Sequence, residues 1–242
     1  MTDNVIRQEI DKLTRALRRQ TSIGKLNFVR RWKTFFDTAI KRQTVLEHVL
    51  SLTKLVRHCS VIMNTTRQPE NQLDELLLVD AALLHDDGEG ILETDFPATS
   101  RQAFRSVNEY LAFVSELDKE NPTEYKRCLR AFLLQFCFNE EIKKLLQAEN
   151  GNTIDHIVWL EQNRRDEALL FEGLEKIEYI LFGIKQFLHR NILDVAVSTI
   201  DHHLESLDKI CQELPEFKLI WTDDLRDSCI RLSKMYPNVR RR

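Results

Sequence analysis

The chain has 242 residues, of which 43% are hydrophobic and 30% are charged, and its formal net charge is −3. A hydrophobic core is therefore available, which argues against general disorder, and the charge balance argues against binding nucleic acid through overall positive charge. The chain has only 6 glycines and 5 prolines, well below average use. This scarcity of turn-forming residues argues against a sandwich, a barrel or a Rossmann-type enzyme and predicts an all-α fold.

Amphipathic segments separated by short polar breaks occupy the first part of the chain. Residues 4–20 and 44–63 carry apolar side chains at steps of three and four, which predicts two helices. The aromatic-rich segment 26–40 is expected to pack against the core. The polar segment 64–71 is predicted to be a loop.

Residues 73–84 are apolar on nearly every side, which predicts a fully buried helix. This helix is expected to end in the polar cluster at 85–90, where two glycines would permit the backbone conformation of a helix end. Residues 91–100 are predicted to be a loop. Further helices are predicted at 101–117, 123–137, 139–149, 165–189, 191–213 and 223–234, with turns at 150–152 and at Pro215.

Cysteine spacing and hydropathy predict a cytoplasmic protein with reduced thiols. The cysteines are odd in number and no two form a CxxC pair, so neither a disulfide framework nor a structural zinc site is expected. No apolar run approaches the roughly 20 residues that span a bilayer, and residues 1–20 contain no apolar signal-peptide core.

Two histidines and an aspartate are predicted to lie among apolar residues. His85 and Asp86 directly follow the apolar helix, and His48 has Leu52 and Leu55 as its neighbours at i+4 and i+7. Burying an imidazole or a carboxylate is costly unless it finds a partner. A divalent cation is one such partner, because it accepts imidazole nitrogen and carboxylate oxygen together.

A carboxylate on a later predicted helix extends this pattern. Glu175 has Phe171, Tyr179 and Phe182 as its helical neighbours, and Glu178 is a competing candidate. Each of these polar residues alone is more often a hydrogen-bonded core group or a surface group. Their combination on three predicted helices favours a metal site.

The order and spacing of these residues resemble the HD-domain metal-dependent phosphohydrolases, and more closely the bacterial 5′-deoxynucleotidase branch of that family. Members of the branch read approximately Arg-Trp, Arg, Val-x-Glu-His, His-Asp-x-x-Glu, Asp-x-Pro and Asp-x-Leu. The matching residues here are Arg31, Trp32, Arg42, Val45, Glu47, His48, His85, Asp86, Glu89, Asp95 and Pro97. The resemblance covers residues 28–185, and in place of the last aspartate the chain offers Glu175.

The resemblance implies an all-α HD-domain helical bundle that holds one divalent metal ion. Its ligands would be His48, His85, Asp86 and Glu175, and the ion would be Mn, Co, Mg, Zn, Fe or Ni. The whole chain, 1–242, is interpreted as a single helical domain. Within it, residues of about 28–190 form the HD-like core, and additional helices occupy about 191–242.

The resemblance also implies roles for residues around the ion. Arg31, Trp32 and Arg42 would bind substrate, with the two guanidinium groups on the phosphate. Glu89 would be the general acid/base, and Asp95 would orient the attacking water or help to protonate the leaving oxygen.

Simpler interpretations of the same residues remain open from sequence alone. Arg31 could stack on Trp32 or pair with a surface acid, and Arg42 could be an exposed residue at a helix start. Glu89 could be a solvated acid in a polar turn, and Asp95 a turn residue before a proline.

The other histidines considered are interpreted as structural residues and not as metal ligands. Asp201, His202 and His203 form a second polar cluster, but the apolar residues around it indicate an ordinary amphipathic helix. His58 is predicted to be a surface or hydrogen-bonded core histidine.

The leading hypothesis is therefore a metal-dependent phosphohydrolase that acts on nucleoside monophosphates, as a 5′-nucleotidase does. The alternatives are a nucleoside triphosphate triphosphohydrolase or phosphodiesterase of the same type, and a non-catalytic nucleotide-binding or interaction module. The expected partner is a small nucleotide or phosphomonoester, with no membrane, no duplex nucleic acid and a possible homodimer.

Overall fold

A computed structural model describes residues 26, 29, 31, 43–92, 103–117, 121–149, 151–190 and 192–235. Within these residues the secondary structure is helical and contains no β-strand, which confirms the all-α prediction. The helix predicted at 4–20 and the predicted site residues Trp32, Arg42 and Asp95 lie outside the described residues.

The α-helices are α1 (Val45–Asn64), α2 (Glu75–Leu84), α3 (Asp87–Leu92), α4 (Ala103–Glu116), α5 (Pro122–Leu133), α6 (Glu140–Glu149), α7 (Gly151–Asn163), α8 (Arg165–Arg190), α9 (Leu193–Glu213) and α10 (Asp223–Met235). Short 3-10 helices lie at Pro69–Asn71, Leu134–Phe136 and Pro215–Leu219. The predicted boundaries of the long helices agree to within a few residues.

A capping box fixes the start of α1. The Glu47 backbone N–H donates to Thr44 Oγ1 at 3.0 Å, and the Thr44 N–H donates to Glu47 Oε2 at 2.8 Å. These bonds satisfy two donors that a helix start leaves unpaired. Because His48 follows in the first turn, the capping box also fixes the position of its imidazole.

A short pair of backbone hydrogen bonds attaches the chain before α1 to the start of that helix. The Arg31 N–H donates to the Gln43 carbonyl at 2.9 Å, and the Val45 N–H donates to the Val29 carbonyl at 3.1 Å. Arg31 therefore lies beside the first turn of α1, close to His48.

The prediction that residues 73–84 are buried on all sides is wrong. Leu78, Ala81 and Ala82 are buried, but the side chain of Leu76 is 60% exposed. Helix α2 packs against α1 and α5, and its remaining face lines an open groove that Trp159 also lines. The all-round apolar pattern therefore overstated the burial.

Helix α3, which the sequence did not predict, begins at Asp87, inside the polar cluster at 85–90. A Cβ atom on Gly88 would lie 2.5 Å from the Glu109 carbonyl oxygen. Glycine is therefore needed here for the close approach of α3 to α4, and not for a helix end as predicted.

Helix α7 was also missed, because residues 150–152 were interpreted as a turn. Gly151 is the first residue of this helix, and Ile154, Ile157 and Leu160 follow at helical spacing. The last two are completely buried.

One large hydrophobic cluster joins most of the described helices. Its buried members include Leu52, Leu78, Phe113, Phe132, Leu146, Ile157, Phe171, Ile200, Phe217 and Cys229. Helices α9 and α10, predicted as additions to an HD-like core, contribute to this same cluster. The site described next therefore rests against a core that both halves of the chain build.

All five cysteines are free thiols, as predicted. Burial raises the pKa of Cys59 to about 11, and that of Cys137 to about 12, so both remain protonated at neutral pH. None of the helices in the described part of the chain is long and apolar enough to cross a membrane.

Candidate metal centre

The imidazoles of His48 and His85 meet in the interior of the protein. His48 lies in the first turn of α1, and His85 directly follows the last residue of α2. Both residues are buried, and their Nε2 atoms are 3.2 Å apart. The structure thus brings together two residues that are 37 positions apart in the sequence.

The hydrogen bonds behind the two rings determine where their protons lie. His48 Nδ1 donates to Glu178 Oε2 at 2.7 Å, and His85 Nδ1 donates to the Ala82 carbonyl oxygen at 3.1 Å. A carbonyl accepts only, and so does an ionised carboxylate, so each Nδ1 carries a proton. Both Nε2 atoms therefore face the space between the rings.

The charge states of these groups follow from their surroundings. Burial raises the pKa of Glu178, but His48, Arg31 and Gln43 outweigh this effect and lower that pKa to about 2. Burial lowers the pKa of His85 below its ordinary value. At neutral pH Glu178 is therefore ionised, and His85 is a neutral imidazole with a lone pair on Nε2.

A nitrogen lone pair facing another imidazole nitrogen at 3.2 Å fits either a shared proton or a metal ion between the rings. Two imidazole nitrogens bound about 2.1 Å from one tetrahedral ion lie about 3.4 Å apart. The separation in the structure is close to this value, and neutral imidazole is the form that binds metals.

Two carboxylates adjoin the histidine pair. Asp86 Oδ1 is 3.3 Å from His85 Nε2, and Asp86 Oδ2 is 3.8 Å from His48 Nε2. Glu175 offers a carboxylate oxygen that lies, with one nitrogen from each histidine, in a group whose atoms are all within 4.8 Å of one another. Each of the two carboxylates thus lies close to both histidines.

Glu178 occupies a different position from Glu175. Its Oε2 accepts from His48 Nδ1, and its Oε1 accepts from Gln43 Nε2 at 3.0 Å. A carboxylate behind a histidine fixes the orientation of the ring and makes it a better ligand. Of the two glutamates left open by the sequence, Glu175 is therefore the candidate ligand and Glu178 orients His48.

Arg31 lies beside one of these carboxylates, that of Asp86. Its Nη2 donates to the Tyr179 hydroxyl at 2.7 Å, and its Nη1 is 3.6 Å from Asp86 Oδ2. Only 12% of the Arg31 side chain is exposed, so it does not pair with a surface acid. Neither Arg31 Nη1 nor Asp86 Oδ2 has a hydrogen-bond partner within the part of the chain that is described, although both atoms are buried.

Glu89 is also buried, with 7% of its surface exposed, so it is not the solvated turn residue considered above. Burial lowers the pKa of Arg31, but Tyr179, Asp86, Glu89 and Glu178 outweigh it, and the net shift is upward. Arg31 is therefore a permanent positive charge, and Glu89 belongs to its electrostatic surroundings.

A third histidine reaches the site from α9. The Tyr179 ring stacks on the His48 ring at 5.7 Å and on the His203 ring at 5.2 Å, with interplanar angles of 7° and 15°. Burial, with smaller effects of His202 and Lys176, lowers the pKa of His203 to about 3, so this imidazole is neutral. No local pattern in the sequence predicts this contact, because the residues around the histidines of α9 indicate an ordinary amphipathic helix.

The donor set fits a divalent cation. It combines two imidazole nitrogens with two carboxylates, and one buried carboxylate oxygen lacks a hydrogen bond within the described residues. Comparison of the chain with protein-family models, with curated proteins and with solved structures found no match.

Proposed function

We propose that the protein is a metal-dependent phosphohydrolase whose divalent ion is held by His48, His85, Asp86 and Glu175. The observation that carries the proposal is the pair of Nε2 atoms 3.2 Å apart, each on a ring whose Nδ1 donates to an acceptor. A bound divalent ion would neutralise charge on a phosphoryl group and lower the pKa of a water molecule.

Arg31 supports a phosphate as the substrate group. Its buried Nη1 has no hydrogen-bond acceptor among the described residues and lies beside Asp86, a proposed ligand. A phosphate oxygen bound at the metal would accept a charge-assisted hydrogen bond from this nitrogen. Arg31 would then bind and orient the phosphate, and its charge would persist throughout catalysis.

Glu89 is the proposed general acid/base, because it is a buried acid in the electrostatic surroundings of Arg31. It would hold the proton that the attacking water loses and return it to the leaving oxygen. Trp32, Arg42 and Asp95 keep their predicted roles in substrate binding and catalysis.

The proposed substrate is a nucleoside monophosphate. This choice, like a cytoplasmic location and a homodimer, rests on the sequence interpretation and its resemblance to 5′-deoxynucleotidases. Support for a phosphate group in the substrate comes from the position of Arg31 beside Asp86 and from the His48, His85 and Glu175 group.

Release of inorganic phosphate tests the proposal. Purified protein is incubated with ribo- and deoxyribonucleoside 5′-monophosphates and with Mn²⁺, Co²⁺, Mg²⁺ or Zn²⁺ in turn. We expect release with at least one metal, its loss on chelation, and its abolition by His85→Ala and by Asp86→Ala. The control is His58→Ala, which removes an exposed imidazole from α1.

Phosphate release that persists in both variants would show that the assigned centre is wrong. Triphosphate released from nucleoside triphosphates, with no activity on monophosphates, would favour the triphosphohydrolase. Nucleotide binding without bound metal or turnover would favour the non-catalytic module.

A further inference from the structure

Tyr179 joins three parts of the candidate site through one side chain. Its hydroxyl donates to Glu175 Oε1 at 2.9 Å and accepts from Arg31 Nη2 at 2.7 Å. Its ring lies between those of His48 and His203. The hydroxyl therefore connects Glu175, a proposed metal ligand, to Arg31, the proposed phosphate-binding residue.

The position of Tyr179 depends on how α8 packs against α9. A Cβ atom on Gly183 would lie 2.5 Å from Thr199 Oγ1 and 2.9 Å from the Ala196 Cα. The two helices thus touch through backbone at this point, and their relative register is fixed. Tyr179 comes one turn before Gly183 on α8, and His203 comes one turn after Thr199 on α9.

In two antiparallel helices that touch at one point, the residue one turn before that point on the first helix lies opposite the residue one turn after it on the second. The contact between Gly183 and Thr199 therefore places His203 against Tyr179, as the stacked rings show. Because His203 is neutral, it acts on Tyr179 as an aromatic surface and not as a charge.

We propose that Tyr179, held between His48 and His203, is a positioning residue that aims Glu175 at the metal ion and Arg31 at the phosphate. This inference rests on the proposed function and adds α9 to the metal centre. A hydroxyl suits the task because it donates to the carboxylate and accepts from the guanidinium at the same time. A phenyl ring keeps the stack but loses both bonds.

The experiment measures Co²⁺ binding to the full-length protein by calorimetry and by visible absorption, which reports the coordination of the ion. We expect Tyr179→Phe to weaken Co²⁺ binding by about 10- to 100-fold, as loss of a residue supporting a ligand does, and to change the absorption spectrum. His203→Ala should weaken binding in the same direction, whereas His203→Phe, which keeps an aromatic ring, should restore it.

The matched control is Tyr110→Phe, which removes a buried hydroxyl bonded to Thr153 on α7. We expect this variant to lose thermal stability but to keep the Co²⁺ affinity and spectrum of the unmodified protein. If Tyr179 contributed only to folding, Tyr179→Phe would also lose thermal stability but keep the Co²⁺ affinity and spectrum of the unmodified protein.

Three failures are distinguishable. If the unmodified protein binds no Co²⁺, the metal centre and this inference are both wrong. If it binds Co²⁺ and Tyr179→Phe binds it equally with the same spectrum, the metal centre stands and the role of Tyr179 is wrong. If Tyr179→Phe is impaired and His203→Ala is not, α9 has no part in positioning.

Discussion

Two glutamates on α8, three residues apart, contact the histidine pair from different directions. Glu178 Oε2 accepts from His48 Nδ1, whereas Glu175 offers an oxygen within 4.8 Å of one nitrogen of each ring. The residue types are the same, so the difference lies only in side-chain direction. Helical spacing showed that both could face the interior, but it could not assign one as the ligand and the other as its support.

Replacing Glu178 by glutamine tests this division of roles. Both Glu178 oxygens accept hydrogen bonds, from His48 and from Gln43, and an amide offers only one acceptor oxygen. We expect Glu178→Gln to weaken metal binding by about 10- to 100-fold, since it removes a charged support of a ligand. Nitrogen-15 NMR of His48 should show that Nδ1 is no longer uniformly protonated.

Glu175→Gln should also weaken metal binding, but it should leave the protonation of His48 Nδ1 unchanged. Glu172→Gln is the control, because Glu172 pairs with Lys176 on the same helix. An unchanged His48 spectrum in Glu178→Gln, or a changed one in Glu175→Gln, would contradict the assignment.

The sequence drew attention to His48, His85, Asp86 and Glu175 because each polar group stands beside apolar residues, and their assignment as ligands stays a prediction. It could not predict hydrogen bonds between residues that lie far apart in the chain. Gln43 meets a glutamate 135 positions away, and Arg31 meets a tyrosine 148 positions away. Such pairs depend on how helices pack, which a local pattern does not contain.

At the scale of elements, the contact between α8 and α9 depends on a single missing side chain. Gly183 lies inside α8, where glycine is normally unfavourable relative to alanine by about 1 kcal/mol. Here it permits the backbone of α9 to approach. The composition shows only that glycine is rare in this chain. The close contact with α9, which only the structure shows, explains why glycine is needed at this position.

We expect Gly183→Ala to lower the free energy of unfolding by about 1–3 kcal/mol, the typical cost of overpacking. The new Cβ would meet the backbone of Ala196, which cannot rotate away as a flexible side chain can. Urea unfolding followed by circular dichroism measures the change.

Lys185→Ala is the control, since Lys185 is exposed on the same part of α8 and its loss should change stability by less than about 0.5 kcal/mol. If Gly183→Ala were more stable than the unmodified protein, the higher helix propensity of alanine would outweigh any overpacking against α9. The expected cost of the close contact would then be wrong.

Element prediction succeeded where apolar periodicity was long, as in α1, α8 and α9. It failed for α3 and α7, where glycine or asparagine near the helix start was interpreted as a turn or a helix end. Gly88 and Gly151 both lie within helices. Glycine marks a turn when it supplies unusual backbone angles, but it also serves close packing, and the two uses look alike in a sequence.

At the scale of the whole molecule, the candidate site joins segments that are distant in sequence. The proposed ligands come from α1, from the turn after α2 and from α8, and their supports come from α9 and from the chain before α1. These segments are close together only in the folded chain. A metal ion that binds this group therefore binds the folded protein in preference to the unfolded one, and its binding energy adds to stability.

We expect Mn²⁺ or Co²⁺ at 100 times its dissociation constant to raise the free energy of unfolding by about 2.7 kcal/mol. At about 2–4 °C per kcal/mol for a chain of this size, Tm should rise by about 5–11 °C. Thermal unfolding followed by circular dichroism measures the shift, and a chelator should reverse it.

The shift itself, and not the absolute Tm, is the quantity to compare among variants, because His85→Ala alters the core as well as the site. His85→Ala should abolish the shift, since the pair of facing imidazoles is then lost. His58→Ala should keep the full shift, because that imidazole is exposed on α1. An equal shift in His85→Ala would mean that the stabilising ion binds elsewhere, and the two buried imidazoles would then be explained by a shared proton.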